Sequence, residues 1–259
     1  MRLYQTALTT NGLAAVYQGD SDGDGIPDLW EIQHGLNPFN PDDANLPSVN
    51  PFAHGLGNLQ VYQNQSVLIA DNYSTLGDGI ADWWKVKYGF SLTDTGVAAR
   101  ASTQPFAHGL TNLQVYQNPS VLNADNFSTV SDGIPDWWRV KYFASGSTTN
   151  GNSCASCDPD GDGVNNLQEF QRGTDPTNSG SLNVTVYADS TLGNDSYDGY
   201  AATVGGGHGP KQDIQAAIST AINNDTVRIA GGAYVGTSFN LQGHNINVQA
   251  SGPVSIQGE

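Results

Sequence analysis

Large apolar residues return along this chain at one-turn spacing in short stretches, and the stretches themselves return on a fixed period. Asn58-Leu59-Gln60-Val61-Tyr62-Gln63 and Asp82-Trp83-Trp84-Lys85-Val86-Lys87-Tyr88 each set apolar side chains three or four residues apart, which predicts short helices. Residues 51–88 and 105–142 agree at 30 of 38 positions, so the same helices are predicted again 54 residues later. Beyond Leu182 the texture changes. Leu182, Val184 and Val186 alternate with polar residues as a half-buried strand does, and Ile214, Ile218 and Ile222 mark one face of a helix. The pairs Val227/Ile229, Phe239/Leu241, Ile246/Val248 and Val254/Ile256 then predict strands separated by Gly and Asn. A spacing of 19 from Val227 to Ile246 and from Ile229 to Val248 predicts stacked coils with inward aliphatic ladders, the helix capping the first coil.

The polar positions of the first part share the 54-residue period. Loops begin at Asp20, Ser74 and Ser128, and a second series at Asn50, Gln104 and Asp158. Aligned on their first residue, all six carry glycine at position six: Gly25, Gly79, Gly133, Gly55, Gly109 and Gly163. Glycine there lets the backbone bend around an ion and present the next carbonyl, while the apolar side chain at position seven turns inward. Only the two outer loops carry oxygen at every required position. Asp20, Asp22, Asp24, Asp28 and Glu31, with the carbonyl of Ile26, form one candidate calcium site. Asp158, Asp160, Asp162, Asn166 and Glu169, with the carbonyl of Val164, form the other.

The four inner loops have lost ligands in an ordered way. In the loops from Ser74 and Ser128, position three is Leu76 or Val130 and position twelve is Lys85 or Arg139. One expectation is that Lys85 pairs with Asp78 and Asp82, and Arg139 with Asp132 and Asp136, placing a tethered cation where an ion would stand; the other is that both are exposed, unpaired charges. The loops from Asn50 and Gln104 carry Phe52 or Phe106 and His54 or His108 at positions three and five and are expected to hold no metal. Trp30, Trp83, Trp84, Trp137 and Trp138 are expected to pack as core, one of each pair left partly exposed.

Charge sharpens this picture. Nine Lys and Arg against 25 Asp and Glu leave a formal charge of −16, which excludes a nucleic-acid partner, and no apolar run is long enough for a membrane span. Acids clustered beside glycine are the arrangement that a divalent cation stabilises, so Ca2+ is the expected cofactor and an extracellular or cell-surface setting follows. Cys154 and Cys157 favour a local disulfide over half a zinc site or a redox pair, since no second pair accompanies them. Met1 to Gly19 lacks a basic start and apolar run, and the repeating pattern is still under way at Glu259, so a longer exported protein is expected.

Residues 20–31 and 158–170, the latter followed by Gly173-Thr174-Asp175-Pro176-Thr177-Asn178, resemble bacterial thrombospondin type 3-like calcium repeats. The resemblance covers about residues 20–181 and implies ion-ligand roles for the residues of the two complete loops. The order Tyr187-Ala188-Asp189-Ser190, Gly193-Asn194-Asp195, Asp198-Gly199, Ile214-Gln215-Ala216-Ala217-Ile218 and Asp225-Thr226-Val227 is similar to the N-terminal entry of right-handed parallel β-helix proteins of the pectate-lyase-like superfamily. Asp189, Asp195 and Asp198 are expected to serve turns.

The expected fold is therefore mixed: EF-hand-type loops with short helices, then the capped first coils of a parallel β-helix. Its expected divisions are 1–19, 20–181 and 182–259. The leading function is a calcium-binding spacer presenting the β-helix, with polysaccharide or cell-surface components as further partners. The alternatives are the N-terminal part of a polysaccharide-degrading enzyme, with no catalytic constellation in this chain, and a dockerin-like interaction module.

Overall fold

The computed structural model describes residues 19–206, 208–236 and 238–258, so most of the expected N-terminal segment lies outside the described residues. Two compact units emerge. Among the described residues, one holds those up to Thr103 together with Gly109–Gln117, and the other holds Gln104–His108 and those from Asn118 onward.

Each of the six loops leads directly into a short helix that begins at loop position nine. In chain order these are α1 (Asp28–His34), α2 (Asn58–Gln63), α3 (Asp82–Lys87), α4 (Asn112–Gln117), α5 (Asp136–Phe143) and α6 (Asn166–Arg172). All six position-six glycines have positive φ, from 80° to 96°, a conformation any side chain would strain. The position-seven side chains, Ile26, Leu56, Ile80, Leu110, Ile134 and Val164, are all buried.

In the first unit Ile26, Trp30, Ala44, Ala53, Leu56, Val61 and Val67 form one cluster. Helices this short do not persist alone, and their stability comes from such clusters. Trp30, Trp84 and Trp138 are buried, whereas Trp83 and Trp137 are half-buried and stack on His54 and His108 with ring centroids 3.9 and 4.0 Å apart.

In the second unit, β1 (Thr185–Ala188), β2 (Thr226–Ile229) and β4 (Asn247–Ala250) form a parallel sheet in the order β1-β2-β4, and β3 (Gly232–Val235) pairs in parallel with β5 (Val254–Gln257). Helix α7 (Ile214–Thr220) buries Ile214, Ala217 and Ile218 against Val186, Val227 and Ile229.

Three strand expectations change. Val227 stands opposite Val248 and Ile229 opposite Ala250, a spacing of 21 rather than 19. The observed register is held by the Asn224 N–H on the Asn245 carbonyl at 2.7 Å and the Asn247 N–H on the Asp225 carbonyl at 2.9 Å. A slip of two residues leaves every side chain on its original face, so alternation alone could not choose between them. Phe239 and Leu241 lie outside any strand, and β3, with the buried Tyr234, falls where no alternation announced it.

Candidate metal centre

The outer loops gather their acids through their own backbone. Asp20 accepts from the N–H groups of Gly23 and Gly25 at 2.7 and 3.0 Å, and Asp24 from Ile26 at 2.8 Å. Asp158 accepts from Gly161 and Gly163 at 2.9 Å each, and Asp162 from Val164 at 2.8 Å. Oxygens of Asp20, Asp22 and Asp24 consequently lie within 4.8 Å of one another, as do those of Asp158, Asp160 and Asp162. One oxygen each of Asp22, Asp24, Asp160 and Asp162 is buried without a hydrogen-bond partner.

Position twelve supplies the strongest signal. Glu31 and Glu169 are both 0% exposed. Neither oxygen of Glu31 has a partner, and Glu169 has only the Thr174 hydroxyl, 3.3 Å from Oε1. Burial, reinforced by Asp22, Asp24 and Asp43, pushes the Glu31 carboxyl up to about 7. Burial together with Asp160 and Asp162 pushes Glu169 up to about 7 as well. Unpaired buried acids at each site, with no imidazole or thiol among them, are a hard-oxygen donor set that fits calcium.

Position nine also makes helix-start bonds in every loop, and in the second site Asn166 Oδ1 is buried without a hydrogen-bond partner. Asp28 accepts from Ser21, whose N–H and hydroxyl donate to its two oxygens at 2.8 and 2.7 Å. Asp82 takes the same two bonds from Thr75, and Asp136 takes them from Thr129. In the second series position nine is asparagine, whose amide donates to an upstream carbonyl: Asn58 to Asp43 at 2.8 Å, Asn112 to Val97 at 3.0 Å, and Asn166 to Asn152 and Cys154 at 2.7 and 2.8 Å. These side chains staple each helix start to a neighbouring stretch of backbone whether or not the loop retains its acids.

In the eroded first-series loops the position-twelve cations are buried, each 0% exposed. Lys85 Nζ donates to Asp78 at 2.8 Å. Arg139 binds both oxygens of Asp132 and, at 2.9 Å, the carbonyl of Ile134, the position-seven carbonyl that faces the ion in an intact loop. Asp82 and Asp136 do not pair with these cations; their carboxylates accept from Thr75 and Thr129 instead. Burial works to raise Asp78 and Asp132, but hydrogen bonds from Lys85 and Arg139 outweigh it and hold both below the usual range.

His54 contacts Asp71 and stacks on Trp83, whose indole donates to the Asp71 carbonyl at 2.9 Å; His108, Asp125 and Trp137 repeat the arrangement. Asp189 and Asp195 accept backbone N–H groups, and Asp198 accepts from Tyr200 and contacts His208. Cys154 and Cys157 form a disulfide, and the Cys157 carbonyl accepts the Asn166 N–H at 2.8 Å, so the bridged turn seats the start of α6.

Sequence spacing missed one acid. Asp43 is 5% exposed, lies twelve residues beyond Glu31, and has an oxygen within 4.8 Å of ligand oxygens of Asp24 and Glu31. Its one signal in the sequence was an acidic Asp42-Asp43 pair that the second repeat lacks.

A family model described as the bacterial TSP3 repeat matches residues 20–41 and 158–179, the segments that begin with the two intact loops. No curated protein and no solved structure matches the chain. The two segments are thus similar to a repeat of the calcium-binding type, and the acids clustered in them are arranged as a divalent ion requires.

Proposed function

We propose that this chain is a calcium-stabilised structural spacer, residues 20–181 forming a repeated block with an ion at its first and last loops and residues 182–259 forming the start of a capped parallel β-helix. The calcium reading is carried by Glu31 and Glu169, fully buried carboxylates with unpartnered oxygens, each beside a three-aspartate cluster. In the first site Asp20, Asp22, Asp24, Ile26 and Glu31 would hold the ion, and in the second Asp158, Asp160, Asp162, Val164, Asn166 and Glu169, the Asn166 amide oxygen being buried without a partner. Binding free energy would then be folding free energy, because these acids repel one another without a cation.

The β-helix reading is supported by parallel pairs whose strands return after 21 residues, as Val227 to Val248, and after 22, as Tyr234 to Ile256. An extracellular or cell-surface setting is supported by the disulfide and by the roughly 10⁻⁴ to 10⁻³ M calcium that extracellular modules use. Among the described residues no helix is long and apolar enough to cross a membrane.

Titration calorimetry with calcium is expected to register uptake, and chelator to lower both the melting temperature and the protease resistance of the repeated block. A melting curve and digestion pattern indifferent to chelator would overturn the reading.

A further inference from the structure

We propose that Asp43 is a calcium ligand of the first site, reaching the ion from outside the loop and taking the place that position nine leaves open; the proposal rests on the calcium reading above.

Calcium takes about six to eight oxygens at about 2.3–2.6 Å, so two ligands of one ion stand at most roughly 5 Å apart. Asp24, Glu31 and Asp43 offer oxygens within 4.8 Å of one another, and Asp24 also belongs to the cluster with Asp20 and Asp22. Asp28 is turned toward Ser21, which donates to both its oxygens, and it belongs to neither cluster of acids at the first site. Asp43 has an oxygen to spare. Its Oδ2 accepts the Asn37 N–H at 3.0 Å, while Oδ1 is buried without a partner in a residue 95% removed from solvent.

The chain contains its own controls. After the last loop, the Asp175 N–H is accepted at 3.0 Å by the hydroxyl of Ser181, as the Asn37 N–H is by Asp43. A single hydroxyl therefore meets the local structural need. The second oxygen of Asp43 is surplus to it, on a side chain that brings an oxygen within 4.8 Å of those of Asp24 and Glu31. In the second repeat the residue whose carbonyl receives the position-nine asparagine is Val97, where Asp43 receives Asn58. There position twelve is Lys85, already paired with Asp78, and the residue at the place of Asp43 is aliphatic. An acid, Asp43, occurs at this place after Glu31, and the aliphatic Val97 after Lys85.

Two consequences follow. The first site carries five carboxylates against the four of Asp158, Asp160, Asp162 and Glu169, so the sites are inequivalent and the first is the tighter. Because the Asp43 carbonyl also receives Asn58, ion capture by the first loop steadies the staple of the neighbouring loop at residues 50–61.

The test is calcium calorimetry and thermal melting on the whole chain, comparing wild type with Asp43→Asn and Asp43→Ser. Asparagine keeps an acceptor for the Asn37 N–H and removes the charged ligand; serine copies Ser181. Wild type is expected to bind two ions with distinct affinities. Both variants are expected to weaken the tighter one by about tenfold or more and leave the other unchanged. In chelator they are expected to melt no lower than wild type, because a repelling charge has been removed. Two affinities unchanged in the variants, a third ion in wild type, or an equal fall in melting temperature with and without calcium would each overturn the role of Asp43. Absence of any uptake by wild type would instead bring down the calcium reading itself.

Discussion

Arg172, the last residue of α6, and Asp225, at the turn into β2, form an ion pair away from solvent: one guanidinium nitrogen lies 2.9 and 3.0 Å from the two carboxylate oxygens, and the side chains are 3% and 0% exposed. Asp225 also accepts the N–H groups of Val184 and Ile222 at 3.0 and 2.9 Å, and Arg172 donates to the Leu182 carbonyl at 2.9 Å. The helix that carries Glu169 is thus fastened to the start of the parallel sheet by a pair that cannot lose one member cheaply. Arg172→Met strands a buried carboxylate and is expected to cost about 3–5 kcal/mol in denaturant unfolding. Asp225→Asn, which keeps most of the hydrogen bonds but strands the guanidinium, is expected to destabilise as well. A near-neutral Arg172→Met would show that water reaches Asp225.

Arg139 offers a contrast between a tethered cation and a free one. It touches the position-five carboxylate and the position-seven carbonyl of its loop, two of the places an ion would touch. Its contribution is therefore independent of calcium. Arg139→Met is expected to destabilise by about 3–5 kcal/mol to the same extent in calcium and in chelator, with the number of bound ions unchanged. A loss confined to the calcium-loaded protein would mean that this loop takes part in ion binding.

Much of this was legible in the chain because the constraints recur. Position-six glycine is demanded by positive φ and position-seven apolar residues by burial, so both survive in all six loops and announce the frame even where ligands are gone. Asp28 at position nine was opaque for a physical reason. A carboxylate at the first residue of a helix can satisfy a nearby N–H and hydroxyl as well as an ion, and Ser21 at position two tips Asp28 toward the former. Asp43 was hidden because a ligand from outside the loop has no fixed spacing. In the sheet, alternation gave the faces but a two-residue slip preserves them, so the register awaited Asn224 and Asn245.

Stapling at position nine separates two kinds of acid in one loop. Asp24→Asn removes an oxygen of the gathered cluster and is expected to weaken calcium binding at the first site by about tenfold or more. Asp28→Asn disturbs the bonds to Ser21 and is expected to lower stability by about 1 kcal/mol with and without calcium, while leaving affinity within about threefold. Calorimetry and melting on the two variants check this, and equal losses of affinity would return Asp28 to the ligand set.

The raised carboxyls of Glu31 and Glu169 give the calcium-free protein an unusual pH dependence. Both groups stand near 4.5 in the unfolded chain and are pushed up to about 7 in the fold, so between those values the folded state holds protons that the unfolded state has released. Stability from these groups is complete below about pH 4.5 and is lost as pH rises toward 7 and beyond. In chelator the melting temperature is therefore expected to fall across this window, the reverse of what salt-bridged carboxylates produce. Calcium replaces the protons: at pH 6 its binding is expected to release protons, seen as a heat that scales with buffer ionisation enthalpy, and saturating calcium is expected to flatten the fall. Glu31→Gln and Glu169→Gln keep the packing without the charge and are each expected to remove part of the slope in chelator. A chelated protein whose melting temperature instead climbs from pH 4.5 to 7 would mean that these buried acids already have partners in solution.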